Sequence, residues 1–163
     1  MNNITLLGMP GAGKSTIGVL LAKAINYDFL DTDLSIQRQE GMLLREIIAK
    51  KGLEEFKKIE NQVNRDVCVE RTVIAPGGSV IYGEEAMEHL ASISKVIYLK
   101  LSYEEIRKRL GNLKKRGVVF AEGQTLEDLY KERAPLYEKY SEVIIDADGL
   151  DIGEVLEEVL QNL

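Results

Sequence analysis

Gly8-Met9-Pro10-Gly11-Ala12-Gly13-Lys14-Ser15 has the spacing of a phosphate-binding P-loop: a glycine, four residues, then Gly-Lys-Ser. Its surroundings match the motif. Ile4–Leu7 reads as a short buried strand before it, and Ile17, Leu20, Leu21, Ala24 and Ile25 recur at helical spacing after it. Strand, glycine loop and helix is the arrangement a phosphate cradle needs. The glycines let backbone N–H groups line an anion-sized hollow, and the helix start adds its unpaired N–H groups and positive dipole end. Gly11, Ala12, Gly13, Lys14, Ser15 and Thr16 are therefore the expected ATP-binding residues. Lys14 should reach the terminal phosphates and Ser15 should ligate Mg²⁺.

Outward from this stretch, short apolar runs alternate with helical patterns. Strands are expected near Ile4–Leu7, Asp28–Leu30, Thr72–Ala75, Val96–Leu99 and Val143–Ile145, giving an α/β protein with a largely parallel sheet. Phe56, Ile59, Val63 and Val67 make one helical stripe. Ile152, Val155, Leu156, Val159 and Leu160 make another, expected to face the core. Ser102 with Glu105, and Thr125 with Asp128, have the spacing of helix-start capping pairs. The 163 residues suit one domain, 1–163. There is one cysteine and one histidine, which excludes a disulfide framework and multi-histidine metal sites within the chain. The first strand begins almost at once, so no targeting segment is expected, and no apolar run is long enough to span a membrane. A cytoplasmic monomer is the expectation. The formal charge of −6 argues against a nucleic-acid surface. A local basic run from Arg107 to Arg116 instead suits a small, highly charged anion, and Arg107 and Arg116 are expected nucleotide contacts within it. The segment 111–123 has no clear period and reads as a mobile lid.

In an open parallel sheet, ligands bind beyond the carboxyl ends of the strands. The residues there are the P-loop, Asp31-Thr32-Asp33 and Pro76-Gly77-Gly78-Ser79. Asp31 and Asp33, two apart on a strand end, should point the same way. Asp31 is assigned to the metal and Asp33 to the hydroxyl of a phosphate acceptor, whose proton it can take. Gly77 and Gly78 can bring backbone close to that ligand. In Arg133-Ala134-Pro135, a proline kink is expected to turn Arg133 inward. Val143-Ile144-Ile145-Asp146 resembles a metal-binding strand end, but any buried strand ending in aspartate does so, and Asp146 is read as a turn residue.

The ordered set resembles the shikimate kinases: the P-loop, Asp31-Thr32-Asp33, the run from Gly52 through Phe56 to Glu60, Gly77-Gly78, and Glu132-Arg133-Ala134-Pro135-Leu136-Tyr137. The resemblance implies a P-loop NTPase fold with a five-stranded parallel sheet flanked by helices. It implies transfer of the ATP γ-phosphate to a shikimate hydroxyl with Mg²⁺, an acceptor region of about 33–61 and a lid whose arginine matches Arg116. It also implies catalytic roles for Lys14, Asp33 and Arg116, and substrate contacts from Asp33, Lys57, Gly77, Gly78 and Arg133. Several positions depart from the family pattern. Lys57 stands where an arginine would clamp the substrate carboxylate, and a lysine is a point charge rather than a planar fork. Ser79 replaces a third glycine, Gln37 a glutamate, and Arg116-Gly117-Val118-Val119 the lid's usual Arg-Pro-Leu-Leu. Two acceptors remain open: shikimate, or another small hydroxy acid or hydroxy-amino acid on the same scaffold. A nucleoside monophosphate kinase is a further possibility within the enzymes. From another class, a nucleotide-dependent switch module would need a base-specificity stretch such as Asn-Lys-x-Asp, which the chain lacks.

Overall fold

The structure is a computed structural model and describes residues 2–110 and 122–163. Arg116 and most of the expected lid lie outside the described residues. Five strands, β1 (Asn3–Leu7), β2 (Asp28–Asp31), β3 (Thr72–Ala75), β4 (Ser94–Lys100) and β5 (Val143–Asp146), form one sheet in the order β2-β3-β1-β4-β5. Every pairing is parallel, with Thr5 opposite both Ile74 and Val96. β1 is fully buried at the centre of the sheet, and its polar Asn3 and Thr5 are satisfied there by hydrogen bonds to the Val69 carbonyl and to Ser94 Oγ. The chain reaches β2 by passing over β3, and later returns across β1 to β4. The winding therefore changes direction at the centre of the sheet, where such folds open a crevice.

The helices are α1 (Lys14–Ile25), α2 (Thr32–Glu40), α3 (Leu44–Lys51), α4 (Leu53–Arg65), α5 (Glu84–Ile93), α6 (Tyr103–Arg109), α7 (Leu126–Tyr140) and α8 (Ile152–Gln161), with a 3₁₀ turn at Val80–Tyr82. The capping pairs form as the sequence implies: Ser102 accepts from the Glu105 N–H, and Thr125 with Asp128 closes a capping box. Two stripes turn differently from expectation. On α1 the buried face is Ile17, Gly18, Leu21 and Ala22, while Leu20 and Ala24 are exposed. The cause is Phe29 of β2, whose ring edge would lie 2.5 Å from a Cβ on Gly18, so the helix seats its glycine against the ring. On α8, Val155 and Val159 are buried but Ile152 and Leu160 are exposed. Val67 is buried just beyond the end of α4, past the helix its stripe implied.

Besides the main core around the sheet, α2, α3 and α4 hold a separate cluster of Ile36, Ile47, Phe56 and Ile59. Full burial of such side chains contributes roughly 1.5–3 kcal/mol each. This small core lets the expected acceptor region stand as a packed flap beside the strand ends. No helix among the described residues is long and apolar enough to cross a membrane.

Candidate active site

The P-loop takes its shape from its backbone. Gly13, immediately before α1, has φ +92°, a left-handed conformation that aims the first N–H groups of the helix into the hollow. Lys14 folds back along the loop and its Nζ donates to the carbonyls of Gly8 (2.7 Å) and Met9 (2.9 Å). Burial pulls its ammonium down to about 8, with Asp33 the foremost opposing influence. Ser15 Oγ donates to Asp31 Oδ2 at 3.4 Å. This hydroxyl and carboxylate make the small oxygen donor set that suits Mg²⁺ when phosphates and water complete the shell. Among the described residues there is no cluster of three or more His, Cys, Asp or Glu able to hold a metal by itself.

The Asp31–Asp33 pair is arranged differently from a plain strand end. Asp31 is the N-cap of α2, its Oδ1 accepting from the Asp33 N–H at 2.9 Å. Asp33 lies in the first helical turn. Asp31 therefore fixes the backbone that carries Asp33 while its second oxygen faces Ser15. Asp33 is half-buried, while its Oδ1 is shut off from solvent and has no hydrogen-bond partner. Burial pushes its carboxyl up to about 6, with the Asp31 charge adding and Lys14 opposing.

A cleft joins these residues. Its walls are Pro10, Gly11 and Gly13–Thr16, then Asp31 and Asp33, then Leu44, Phe56 and Glu60 from the flap, then 75–79 and Arg133. Gly77 lets the two carboxylates close in: a Cβ there would stand 2.6 Å from Asp33 Oδ1 and 3.0 Å from Glu60 Oε2 and would push them aside. The Gly78 carbonyl accepts from Tyr137 Oη at 2.6 Å. Arg133 is fully buried, its Nε donating to Tyr82 Oη at 3.3 Å. α7 stays helical through Pro135, and Arg133 shares its inward face with Leu129 and Tyr137, four residues away on either side. Helical spacing accounts for its direction without a kink.

Two placements depart from the sequence reading, and one basic residue takes a place it did not foresee. Lys57 does not line the cleft: its Nζ stands 4.4 Å above the Tyr82 ring and 3.8 Å from Glu54 Oε1. Arg107 is exposed and paired with Glu104 at 2.9 Å, and it lines neither the cleft nor the second cavity beside the P-loop. Its neighbour Arg109 is the basic residue that turns to the loop, with Nη1 3.5 Å from the Gly11 carbonyl. Arg109 also walls a second cavity with Ala12, Gly13, Thr16 and Ile17, closed by Ala147, Leu150, Ile152 and Val155. That slot explains why Ile152 is not in the core. Asp146, by contrast, accepts from the Asp148 N–H at 3.3 Å on the edge strand, in the turn role expected of it.

Sequence reasoning gave no role to Glu60. It is 2% exposed, and Ser79 Oγ donates to its Oε1 at 2.5 Å while Oε2 has no partner. Burial pushes Glu60 up to about 7. The signal was available: position 60 falls on the same face of α4 as Phe56 and Val63, and a carboxylate in an apolar stripe needs a reason.

These charges make stability depend on pH with a definite sign. Asp33 and Glu60 have folded values raised above the ordinary carboxylate range, so the native state holds protons that the unfolded chain has lost. Their contribution falls as pH rises from about 5 to about 7. Lys14 is lowered, so between about 8 and its ordinary value of 10.5 the unfolded chain binds the extra proton and stability recovers with pH. Thermal unfolding of the nucleotide-free protein should therefore show a minimum in Tm between about pH 7 and 8. A Tm that climbs steadily from pH 5 to 7 would contradict the buried carboxylates.

The shikimate kinase family model matches residues 10–163. The shikimate kinase of Thermodesulfovibrio yellowstonii is 35% identical over 164 residues, covering 99% of this chain and 94% of that protein. That of Dictyoglomus turgidum is 33% identical over 167 residues, covering 99% and 97%. Among solved structures, shikimate kinase from Acinetobacter baumannii in complex with shikimate superposes with a TM-score of 0.91 at 32% identity, covering 99% of this chain and 92% of that one. A deoxyadenosine kinase from M. mycoides, 20% identical with a TM-score of 0.68 over 98% of each chain, shares the fold. With matches that run from the P-loop to the last helix, this chain belongs to the shikimate kinase family.

Proposed function

We propose that this protein transfers the γ-phosphate of ATP to a hydroxyl of shikimate. The observation that carries the reading is the cleft itself. The P-loop lysine, an aspartate with a buried, unpartnered oxygen and a buried arginine line one space between the strand ends and the flap. Such a space suits an anionic, hydroxylated acceptor beside a nucleotide triphosphate. The A. baumannii relative, solved with shikimate, supports that choice of acceptor.

The P-loop N–H groups and Lys14 would bind the terminal phosphates, and the second cavity, sharing Gly13 and Thr16 with the cleft, would take the nucleobase against Arg109. Mg²⁺ held by Ser15 and Asp31 would supply charge neutralisation at the phosphate oxygens. Asp33 would orient the acceptor hydroxyl and take its proton, and Arg133 would face the acceptor carboxylate. Arg116 remains the sequence's candidate for the transferring phosphoryl group. Positioning and electrostatics account for most of the rate in this chemistry.

Lys57 favours the second acceptor reading, because it stands over Tyr82 outside the cleft wall. ADP release measured with ATP·Mg²⁺ and a panel of shikimate, homoserine, threonine, gluconate and AMP separates the two. Turnover with shikimate at least tenfold above the rest is the expected result, tenfold being about 1.4 kcal/mol of discrimination. Turnover only with another hydroxy acid would move the assignment to that acceptor. ATP binding without turnover on any of them would favour a nucleotide-dependent switch.

A further inference from the structure

Glu60 depends on one contact for its orientation. Among the described residues, the only hydrogen bond to its carboxylate comes from Ser79, at Oε1. The last torsion of a glutamate is broad, so a carboxylate swings unless one oxygen is held. Ser79 is built to hold it. It is 4% exposed, it begins the 3₁₀ turn, and its carbonyl accepts from the Tyr82 N–H at 3.1 Å, so its backbone is fixed. With Oε1 anchored, Oε2 lies beside Gly77 along with Asp33 Oδ1, the two oxygens 3.0 and 2.6 Å from where a Cβ on that glycine would stand. The cationic side chain one turn back on α4, Lys57, lies over the Tyr82 ring and makes no ion pair with Glu60. A hydroxyl at position 79 thus supplies an anchor that no cation among the described residues supplies.

We propose that Ser79 is a positioning residue for the acceptor: by anchoring Glu60 Oε1 it presents Oε2, beside Asp33, to a second hydroxyl of the substrate. The inference rests on the kinase reading of the cleft. It makes the acceptor a polyhydroxylated acid, since each of the two unpartnered oxygens takes a separate donor. A charge-assisted bond of this kind also favours the ionised form of its acceptor. The groups that face Glu60 are consistent with a role for that bond. Burial raises its titration and the Ser79 bond opposes this; Asp33 on α2 raises it further, while Arg133 on α7 and Lys57 on α4 lower it, and Lys14 on α1 also interacts with it.

The test compares the wild type with Ser79→Ala, Ser79→Gly and Glu60→Gln. Carboxyl ¹³C NMR, with the Glu60 signal identified by its loss in Glu60→Gln, reads the contact without any acceptor. Removing the hydroxyl should move the Glu60 midpoint upward by about one pH unit. In steady-state assays Ser79→Ala should raise KM for shikimate about tenfold while kcat and KM for ATP stay within about twofold, and it should add less than about twofold in the Glu60→Gln background. An unmoved Glu60 midpoint in both Ser79 variants overturns the proposal whatever the acceptor is, and so do losses that simply multiply with Glu60→Gln. A moved midpoint in a protein that leaves shikimate unphosphorylated upholds the Ser79 contact and overturns the acceptor reading instead.

Discussion

Asp33→Asn is expected to lower kcat for phosphoryl transfer by about 10³-fold and to leave ATP affinity within about twofold. The substitution keeps size and shape, so the cleft does not collapse. It also leaves the start of α2 intact, because the cap is Asp31 and its bond goes to the backbone N–H of residue 33. What is lost is an oxygen that can take a proton. Asp33 Oδ1 has no partner in the folded chain, and an unpaired buried carboxylate oxygen is costly to keep unless a ligand completes it. With its titration pushed up to about 6, Asp33 is ionised at neutral pH but protonates on mild acidification. The rate of the wild type should then fall below about pH 6, and this acid limb should be absent from whatever activity Asp33→Asn retains. Rapid-quench measurement of the phosphoryl-transfer step, with nucleotide binding followed separately, distinguishes the two effects. Transfer at the wild-type rate would remove Asp33 from the chemistry.

The same residues show what could be read from the chain and what could not. All five strands lie where the sequence places them; the central β1 and β3 are fully buried, whereas the edge strands β2 and β5 are short and partly exposed. The P-loop was legible because its spacing and its strand–helix context agree. Ser102 and Thr125 were legible because capping is a local interaction. Long-range direction was not. Arg107 and Arg109 are equivalent in composition and two residues apart. Only the fold reveals that Arg109 lies three residues beyond the buried Ile106 and turns to the P-loop, while Arg107 pairs back to Glu104. Lys57 follows Phe56, and one step around a helix is about 100°, enough to carry it off the cleft wall. Asp31, expected just past a strand ending at Leu30, is both the last residue of β2 and the cap of the next helix, so its two oxygens have different duties. Glu60 was legible as a carboxylate in an apolar stripe, but its partner Ser79, nineteen residues away in sequence, was not.

Lys14→Met should reduce kcat/KM for ATP by about 10³-fold, and the wild type should carry the signature of the same group in its pH dependence. The lysine is desolvated before any nucleotide arrives, its ammonium facing the carbonyls of Gly8 and Met9 and its titration drawn down to about 8. A lysine in that state is close to losing its charge in the free enzyme. The profile of kcat/KM for ATP reports the free enzyme, so it should decline above about pH 8. Phosphate oxygens placed against the ammonium favour its charged form and raise its titration, so kcat, which reports the loaded enzyme, should stay level to higher pH. The two profiles therefore separate on the alkaline side. The same linkage requires that ATP binding near pH 8.5 take up protons, which calorimetry in buffers of different ionisation enthalpy measures directly. Coincident alkaline limbs with no proton uptake would mean that Lys14 is fully charged before the nucleotide binds. The loop carbonyls would then be its permanent partners, and the phosphates would be held by the backbone N–H groups of the P-loop and the start of α1.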